Sequence, residues 1–209
     1  MDSRHFRFWP KHLPRRLSYP RTTVHELLEV SARRYPDKPH SIFYGASLSY
    51  AEALTQVNAL AGFLQQDCGV RPGDRVLLDM QNAPQFVLAY YAILRADAVV
   101  VPVSPMYVRQ ELAHYIADSG ATVALIGQEV FPEISDLVGH ALQHVIVAAY
   151  SDYASPDDPL PKPEAVAAPR QDLKAPGVTL WMDPLAAARF PDETRTGPRD
   201  LCAMPYTSG

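Results

Sequence analysis

Apolar residues are arranged in two ways along the chain, as continuous runs and at helical spacing, and the two arrangements alternate. Four nearly continuous apolar runs, each typical of a buried β-strand, lie between residues 74 and 148. Segments with apolar residues at helical spacing separate these runs. The predicted strands are 74–78, 98–103, 122–126 and 144–148, and the predicted helices between them are 84–96, 108–119 and 129–142. Because strands that alternate with helices form crossovers of one hand, the pattern predicts an α/β fold with a doubly wound, largely parallel sheet flanked by helices.

The part of the chain before these strands predicts a helix, a hairpin and a second helix. The pair Thr22-Thr23 can cap a first helix, because apolar residues at helical spacing follow it. Residues 41–50 contain two short strand-like runs on either side of a Gly-Ala turn, which predicts a hairpin. Ser49 and Glu52 have the spacing of a capping box, so the second helix should begin at Ser49.

The chain is predicted to divide into four segments. Residues 1–22 form an extended arm with a basic cluster and several aromatic residues, and residues 23–150 form the α/β subdomain. Residues 151–171 contain five prolines and no periodicity, which predicts a proline-rich surface loop. Residues 172–209 are predicted to connect through a short helix to a last strand, 201–206, which leads directly into a polar loop.

Composition and charge exclude several classes of function. The formal net charge is -4 and the basic residues are scattered, which argues against nucleic-acid binding. No apolar run approaches the ~20 residues of a membrane span, and the start lacks the apolar run of a signal peptide. Two distant cysteines, Cys68 and Cys202, form neither a disulfide framework nor a metal site, which is typical of a cytoplasmic protein with reduced thiols.

The three residues after the last predicted strand, Thr207, Ser208 and Gly209, have the chemistry of a phosphate-binding loop. Glycine lets backbone N–H groups approach phosphate oxygens, and the two hydroxyls can donate further hydrogen bonds. The tripeptide alone is equally typical of an ordinary polar segment, because such short motifs match by chance. Whether the tripeptide indicates phosphate binding therefore depends on which motifs precede it and in what order.

Tyr206-Thr207-Ser208-Gly209 follows two further motifs, L-S-Y-A-E-A-L at residues 48–54 and A-I-L-R-A-D-A-V-V-V-P-V-S-P at residues 92–105. In this order the three resemble the Y-T-S-G-T-T-G-x-P-K-G phosphate loop, the L-T-Y-x-E-L block and the K-A-G-A-x-x-V-P-V-x-P block of the adenylate-forming (AMP-binding) superfamily. That superfamily includes acyl-CoA synthetases, luciferases and the adenylation domains of peptide synthetases. Asp97 stands where the family prefers glycine, and we interpret it as an altered helix end without a functional role.

The resemblance implies a bacterial medium- or long-chain fatty acyl-CoA synthetase, of which this chain would be the N-terminal part. Such an enzyme adenylates a fatty acid with ATP and Mg2+, and then transfers the acyl group to coenzyme A (CoA). Thr207, Ser208 and Gly209 would bind ATP, and no catalytic or metal-binding residue is expected in the chain. Because the sequence stops inside the loop, the chain alone is expected to be inactive. It is also expected to self-associate through the arm or an exposed sheet face.

Two alternatives to the fatty-acid ligase stay open at this point. The chain could be a non-catalytic α/β module that binds a nucleotide or a partner at its strand ends. It could also belong to an aryl-acid CoA ligase, because the three motifs do not define the acid that is activated.

Overall fold

The computed structural model describes residues 4–206, which form a two-stranded hairpin and a five-stranded sheet with helices around it. The α-helices are α1 (Val24–Arg34), α2 (Tyr50–Gln66), α3 (Pro84–Arg95), α4 (Arg109–Ser119), α5 (Phe131–Ile134), α6 (Glu164–Ala167) and α7 (Met182–Ala187). The strands are β1 (Pro39–Phe43), β2 (Ala46–Ser49), β3 (Arg75–Asp79), β4 (Val99–Pro102), β5 (Val123–Gly127), β6 (His144–Ala148) and β7 (Val178–Leu180). Short 3-10 helices cover Arg4–Phe8, Ser135–Leu137 and Tyr150–Tyr153.

The five-stranded sheet has the order β4-β3-β5-β6-β7, and all its neighbouring strands are parallel. The chain moves from β3 outward to β4 and then back across β3 to β5, so the direction of winding reverses beside β3. Helices α1, α2 and α3 cover one face of the sheet, while α4 and α5 cover the other. This arrangement confirms the predicted doubly wound α/β fold.

Alternate residues of the central strands build two separate cores, one on each face of the sheet. Leu78 and Leu125 belong to the core under α2 and α3, whereas Leu77 and Ala124 belong to the core under α4. All four are 0% exposed. A strand that is covered on both faces needs apolar residues at every position, which explains why the runs in the sequence are nearly continuous.

The beginning of α2 has the capping box predicted from Ser49 and Glu52. The Ser49 N–H donates to the Glu52 carboxylate over 2.8 Å, and the Glu52 N–H donates to the Ser49 hydroxyl over 3.2 Å. These bonds satisfy N–H groups that have no partner within the helix. The hydrogen bonds that the Glu52 carboxylate accepts from the Ser49 N–H and hydroxyl hold the pKa of Glu52 below its ordinary value.

The predicted helix 129–142 is wrong. Only Phe131–Ile134 is α-helical, and the 3-10 helix Ser135–Leu137 follows it. Gly139 then takes a φ of +79°, and its N–H donates to the Leu142 carbonyl over 2.7 Å, which closes a turn. A left-handed glycine cannot continue a right-handed helix, so this turn ends the helical stretch before β6.

The sequence pattern did not predict β7. It also did not predict how closely the proline-rich segment before β7 packs on the domain. Residues 151–171 include α6, whose Val166 is 8% exposed. Arg170 pairs with the Asp152 carboxylate over 2.7 Å. Tyr153 accepts a hydrogen bond from the indole N–H of buried Trp181 over 3.1 Å. The segment is therefore packed against the domain by specific contacts, although its composition is that of a surface loop.

Candidate functional site

Residues 201–206, called the edge segment below, lie along β4 at the free edge of the sheet. The Val100 N–H donates to the Cys202 carbonyl over 3.0 Å, and the Met204 N–H donates to the Val100 carbonyl over 2.8 Å. Ala203 and Val100 thus form a parallel bridge, and the edge segment advances in the direction in which β4 runs. The next donor in this parallel ladder would be the N–H of residue 102, and Pro102 has none, so that bond cannot form. The strand predicted at 201–206 is reduced to this bridge.

Asp97 anchors the chain immediately before the edge segment. Its carboxylate accepts hydrogen bonds from the Arg195 N–H over 2.9 Å, the Thr196 N–H over 2.9 Å and the Thr196 hydroxyl over 2.7 Å. The side chain is 2% exposed. A buried carboxylate is stable when several donors face it, as they do here.

The polar turn between residues 192 and 200 has further contacts with the same corner of the sheet. The Arg95 guanidinium donates to the Asp192 carbonyl over 2.7 Å. The Gly197 N–H donates to the Asp200 carboxylate over 2.7 Å, which closes the turn that leads into the edge segment. The route of the chain into the edge segment is therefore defined by polar groups from α3 and from the turn itself.

Tyr206 anchors the other end of the edge segment to α4. Its ring lies 4.5 Å from the ring of Tyr115, and its hydroxyl donates to the Asp118 carboxylate over 2.6 Å. Partial burial and this hydrogen bond raise the pKa of Tyr206 to about 12. Since Tyr206 directly precedes Thr207, these contacts fix the point from which the polar loop begins.

A buried acidic group lies where the central strands end. Asp79 is the last residue of β3 and is 0% exposed, and neither of its carboxylate oxygens has a hydrogen-bond partner among residues 4–206. Burial and the nearby Glu129 carboxylate raise the pKa of Asp79 to about 7. Burial also raises the pKa of Glu129, although the Tyr150 hydroxyl donates to its carboxylate over 2.8 Å. The Asp79 carboxyl is therefore neutral over the acidic half of the pH range.

The predicted ATP-binding residues Thr207, Ser208 and Gly209 lie outside the described residues, so their geometry stays a prediction. The structure describes the segment that leads to them and the groups that hold it. Sequence reasoning missed the anchoring role of Asp97 and of the Tyr206–Asp118 pair. The one signal for Asp97 was an acidic residue in a family position that prefers glycine. In the described part of the chain, no helix is long and apolar enough to cross a membrane.

The fold and the three ordered motifs are those of an α/β domain of the adenylate-forming kind. A model of the AMP-binding enzyme family matches residues 28–209, which is most of the sequence. The chain therefore belongs to the AMP-binding enzyme family, and the resemblance inferred from the three ordered motifs is confirmed.

Two similar proteins are long-chain-fatty-acid–CoA ligases. The ligase of Bacillus subtilis (strain 168) is 33% identical over 155 residues, which are 74% of this chain and 27% of that protein. The ligase of Salmonella typhimurium is 37% identical over 131 residues, which are 62% of this chain and 23% of that protein. The aligned region thus spans about a quarter of each of these relatives.

The fold is also similar to that of a solved anthranilate CoA ligase in complex with anthranoyl-AMP. The TM-score is 0.72 at 19% identity, and the match covers 91% of this chain and 33% of that one. At this identity the likeness concerns the fold alone.

Proposed function

We propose that the chain is the N-terminal part of an ATP-dependent fatty-acid–CoA ligase. The observation that carries this proposal is the edge segment, which runs parallel to β4. Asp97 holds the turn before this segment, and Tyr206 anchors its end just before Thr207. Membership of the AMP-binding enzyme family and the long-chain-fatty-acid–CoA ligases among the relatives support it. In this proposal residues 1–22 are an arm, 23–150 the α/β subdomain, 151–171 a surface loop and 172–209 the connection into the ATP loop.

The proposed reaction has two steps. A fatty-acid carboxylate oxygen attacks the α-phosphorus of ATP, the bond to the β-phosphate oxygen breaks, and pyrophosphate leaves. The thiol sulfur of CoA then attacks the acyl carbon and loses its proton, and AMP leaves as the thioester forms. Both substrates of the first step are anionic, so the site must hold them together while it offsets their charge.

Thr207, Ser208 and Gly209 are proposed to bind the phosphates of ATP. Hydroxyl and backbone N–H donors suit phosphate oxygens, and the glycine permits close approach of the backbone. Mg2+ would neutralise phosphate charge in such a site. Within residues 4–206 no three His, Cys, Asp or Glu side chains are grouped as metal ligands, and the proposal assigns no Mg2+ ligand to them.

The test is release of pyrophosphate by the complete protein, measured with ATP and a panel of fatty and aryl acids. The proposal expects release that depends on the fatty acid, with a preference for medium or long chains. A preference for aryl acids would instead favour an aryl-acid CoA ligase. If no acid supports release, the chain is better explained as a non-catalytic binding module.

The same proposal includes the behaviour of the chain by itself. Residues 1–209 alone are expected to show no acid-dependent pyrophosphate release, because the rest of the family's phosphate loop would follow Gly209. Self-association through the arm is supported by the exposure of Phe8, Leu17 and Tyr19, at 85%, 74% and 79%. A monomer at high concentration in light scattering would contradict the self-association. We also propose a cytoplasmic location, in which Cys68 and Cys202 stay reduced.

A further inference from the structure

Asp97 lies at the junction between α3 and β4 in a backbone conformation that favours glycine. Its φ is +61°, in the left-handed region, and its side chain is 2% exposed. Its backbone is fixed on both sides, because its N–H donates to the Leu94 carbonyl over 3.1 Å and its carbonyl accepts from the Gly73 N–H over 2.8 Å. Glycine would take this conformation without steric strain, so aspartate here needs a compensating interaction.

The compensating interaction is made by the carboxylate rather than by the backbone. Three donors, the N–H groups of Arg195 and Thr196 and the Thr196 hydroxyl, lie within 2.7–2.9 Å of its oxygens. The donors come from a turn that is 98 and 99 residues further along the chain. Aspartate thus lacks the conformational freedom of glycine, but its carboxylate links two parts of the chain that are distant in sequence.

The hydrogen bonds of Asp97 restrict the position of the chain that leads into the edge segment. Asp97 lies two residues before β4 and Val100 lies within β4, and they hold residues 195–196 and Ala203 respectively. The intervening turn is closed by the Gly197–Asp200 contact of 2.7 Å. Because Asp97 holds one end and β4 holds the other, the chain between 195 and 203 is kept in one register at the sheet edge. A slip of one residue would turn the side chains that follow to the opposite side.

We infer that Asp97 is a positioning residue for nucleotide binding. Its carboxylate sets the path and the register with which the edge segment enters Thr207-Ser208-Gly209, and thereby the affinity for ATP. This inference rests on the proposed ligase function, because it needs the loop to be the ATP-binding element. It replaces the interpretation of Asp97 as an altered helix end without a functional role.

Two substitutions at Asp97 distinguish the effect of the carboxylate from the effect of the backbone conformation. Asp97→Gly removes the carboxylate and relaxes the left-handed backbone, so the domain should still fold. Asp97→Asn keeps the size of the side chain and one acceptor oxygen, and it should behave between wild type and Asp97→Gly. Asp157→Gly, in an exposed position of the proline-rich segment, is the matched control.

The first readout is amide hydrogen exchange in the complete protein. In Asp97→Gly, exchange at residues 195–206 should rise by about tenfold or more, since hydrogen bonds to a charged acceptor are lost. Exchange in β5 and β6 should not change. Equal exchange at residues 195–206 in wild type and Asp97→Gly would overturn the inference.

The second readout is steady-state kinetics of pyrophosphate release in the same proteins. Asp97→Gly should raise the KM for ATP by about tenfold and leave the KM for the fatty acid unchanged, because the lost contacts orient the nucleotide loop alone. Faster exchange with an unchanged KM for ATP would also overturn the inference. Wild-type protein without any acid-dependent release would instead refute the proposed function, and the exchange data would then still decide whether Asp97 holds the segment.

Discussion

The central strands and the edge segment of the same sheet are held by different kinds of contact. Strands β5 and β6 pair along five consecutive positions, and Leu125 and Ile146 are 0% exposed. The edge segment has one backbone bridge to β4 within the described residues, and Leu201 is 58% exposed. Polar contacts of Asp97 and Tyr206 replace the missing burial there.

This difference indicates that the central strands determine global stability, whereas the edge segment affects mainly the loop that follows it. Apolar burial on both faces makes the central strands part of the global folding unit. The edge segment can detach at a smaller cost, because few apolar contacts hold it. Under the proposed function, the loop that admits and releases ATP needs this local freedom, and the polar anchors keep the segment in one register. Changes at the centre should therefore affect the whole fold, whereas changes at the edge should affect the segment and its loop.

The largest effect is expected from Leu125→Ala in the middle of β5. Removing a fully buried leucine side chain should lower the free energy of unfolding by about 3–5 kcal/mol, through lost burial and the cavity that remains. Urea denaturation followed by circular dichroism measures this change. Leu160→Ala is the control, because Leu160 is 61% exposed and its loss should change stability by less than about 0.5 kcal/mol. Equal effects of the two substitutions would contradict the claim that apolar burial in the central strands stabilises the fold.

A smaller effect is expected from Asp79→Asn at the end of β3, and it should depend on pH. The pKa of Asp79 is raised from 3.8 to about 7, so the native state holds a proton that the unfolded state has already lost between these values. Stability from this group is full below pH 3.8 and is lost as the pH rises through 7. The wild type should therefore be less stable at pH 8 than at pH 5 by about 2–3 kcal/mol on account of this group.

In Asp79→Asn this contribution to the pH dependence should disappear, which urea midpoints at pH 5 and pH 8 would measure. Asp157→Asn, which changes an exposed carboxyl, should retain the wild-type difference between the two pH values. If Asp79→Asn and wild type lose stability equally on going from pH 5 to pH 8, the Asp79 carboxyl is not the buried, protonated group described here.

The smallest effect on global stability is expected from Tyr206→Phe at the edge. The ring would still pack on Tyr115, and only the hydrogen bond to Asp118 would be lost, so the free energy of unfolding should fall by less than about 1 kcal/mol. Amide exchange of Met204 and Tyr206 should nevertheless become several-fold faster. Tyr19→Phe, at a residue that is 79% exposed, serves as the control. A global loss as large as that of Leu125→Ala would show that the edge segment belongs to the folding core.

Local patterns predicted the central part of the fold because its determinants are local. The strands around Leu77 and Leu125 are short apolar runs between helical segments, and the Ser49–Glu52 box lies within four residues. The helix predicted to Leu142 failed because Gly139 adopts a left-handed turn that apolar spacing does not report. Strand β7 has three residues of intermediate burial, which is too short to produce a pattern.

The anchors of the candidate site could not be predicted in the same way. Asp97 pairs with Arg195 and Thr196 across nearly half of the chain, and Tyr206 reaches Asp118 across 88 residues. Such contacts depend on how distant elements meet in the folded sheet, which no local window contains. The motif at Thr207 predicts where ATP binds, but it does not predict which contacts hold the segment before it.

The most direct test of the central claim, that the edge segment carries the ATP loop, is amide exchange of the complete protein with and without Mg2+ and ATP. We expect nucleotide to slow exchange in residues 201–209 and to leave β5 and β6 unchanged. Protection by ATP elsewhere in the protein, with residues 201–209 unaffected, would contradict the account.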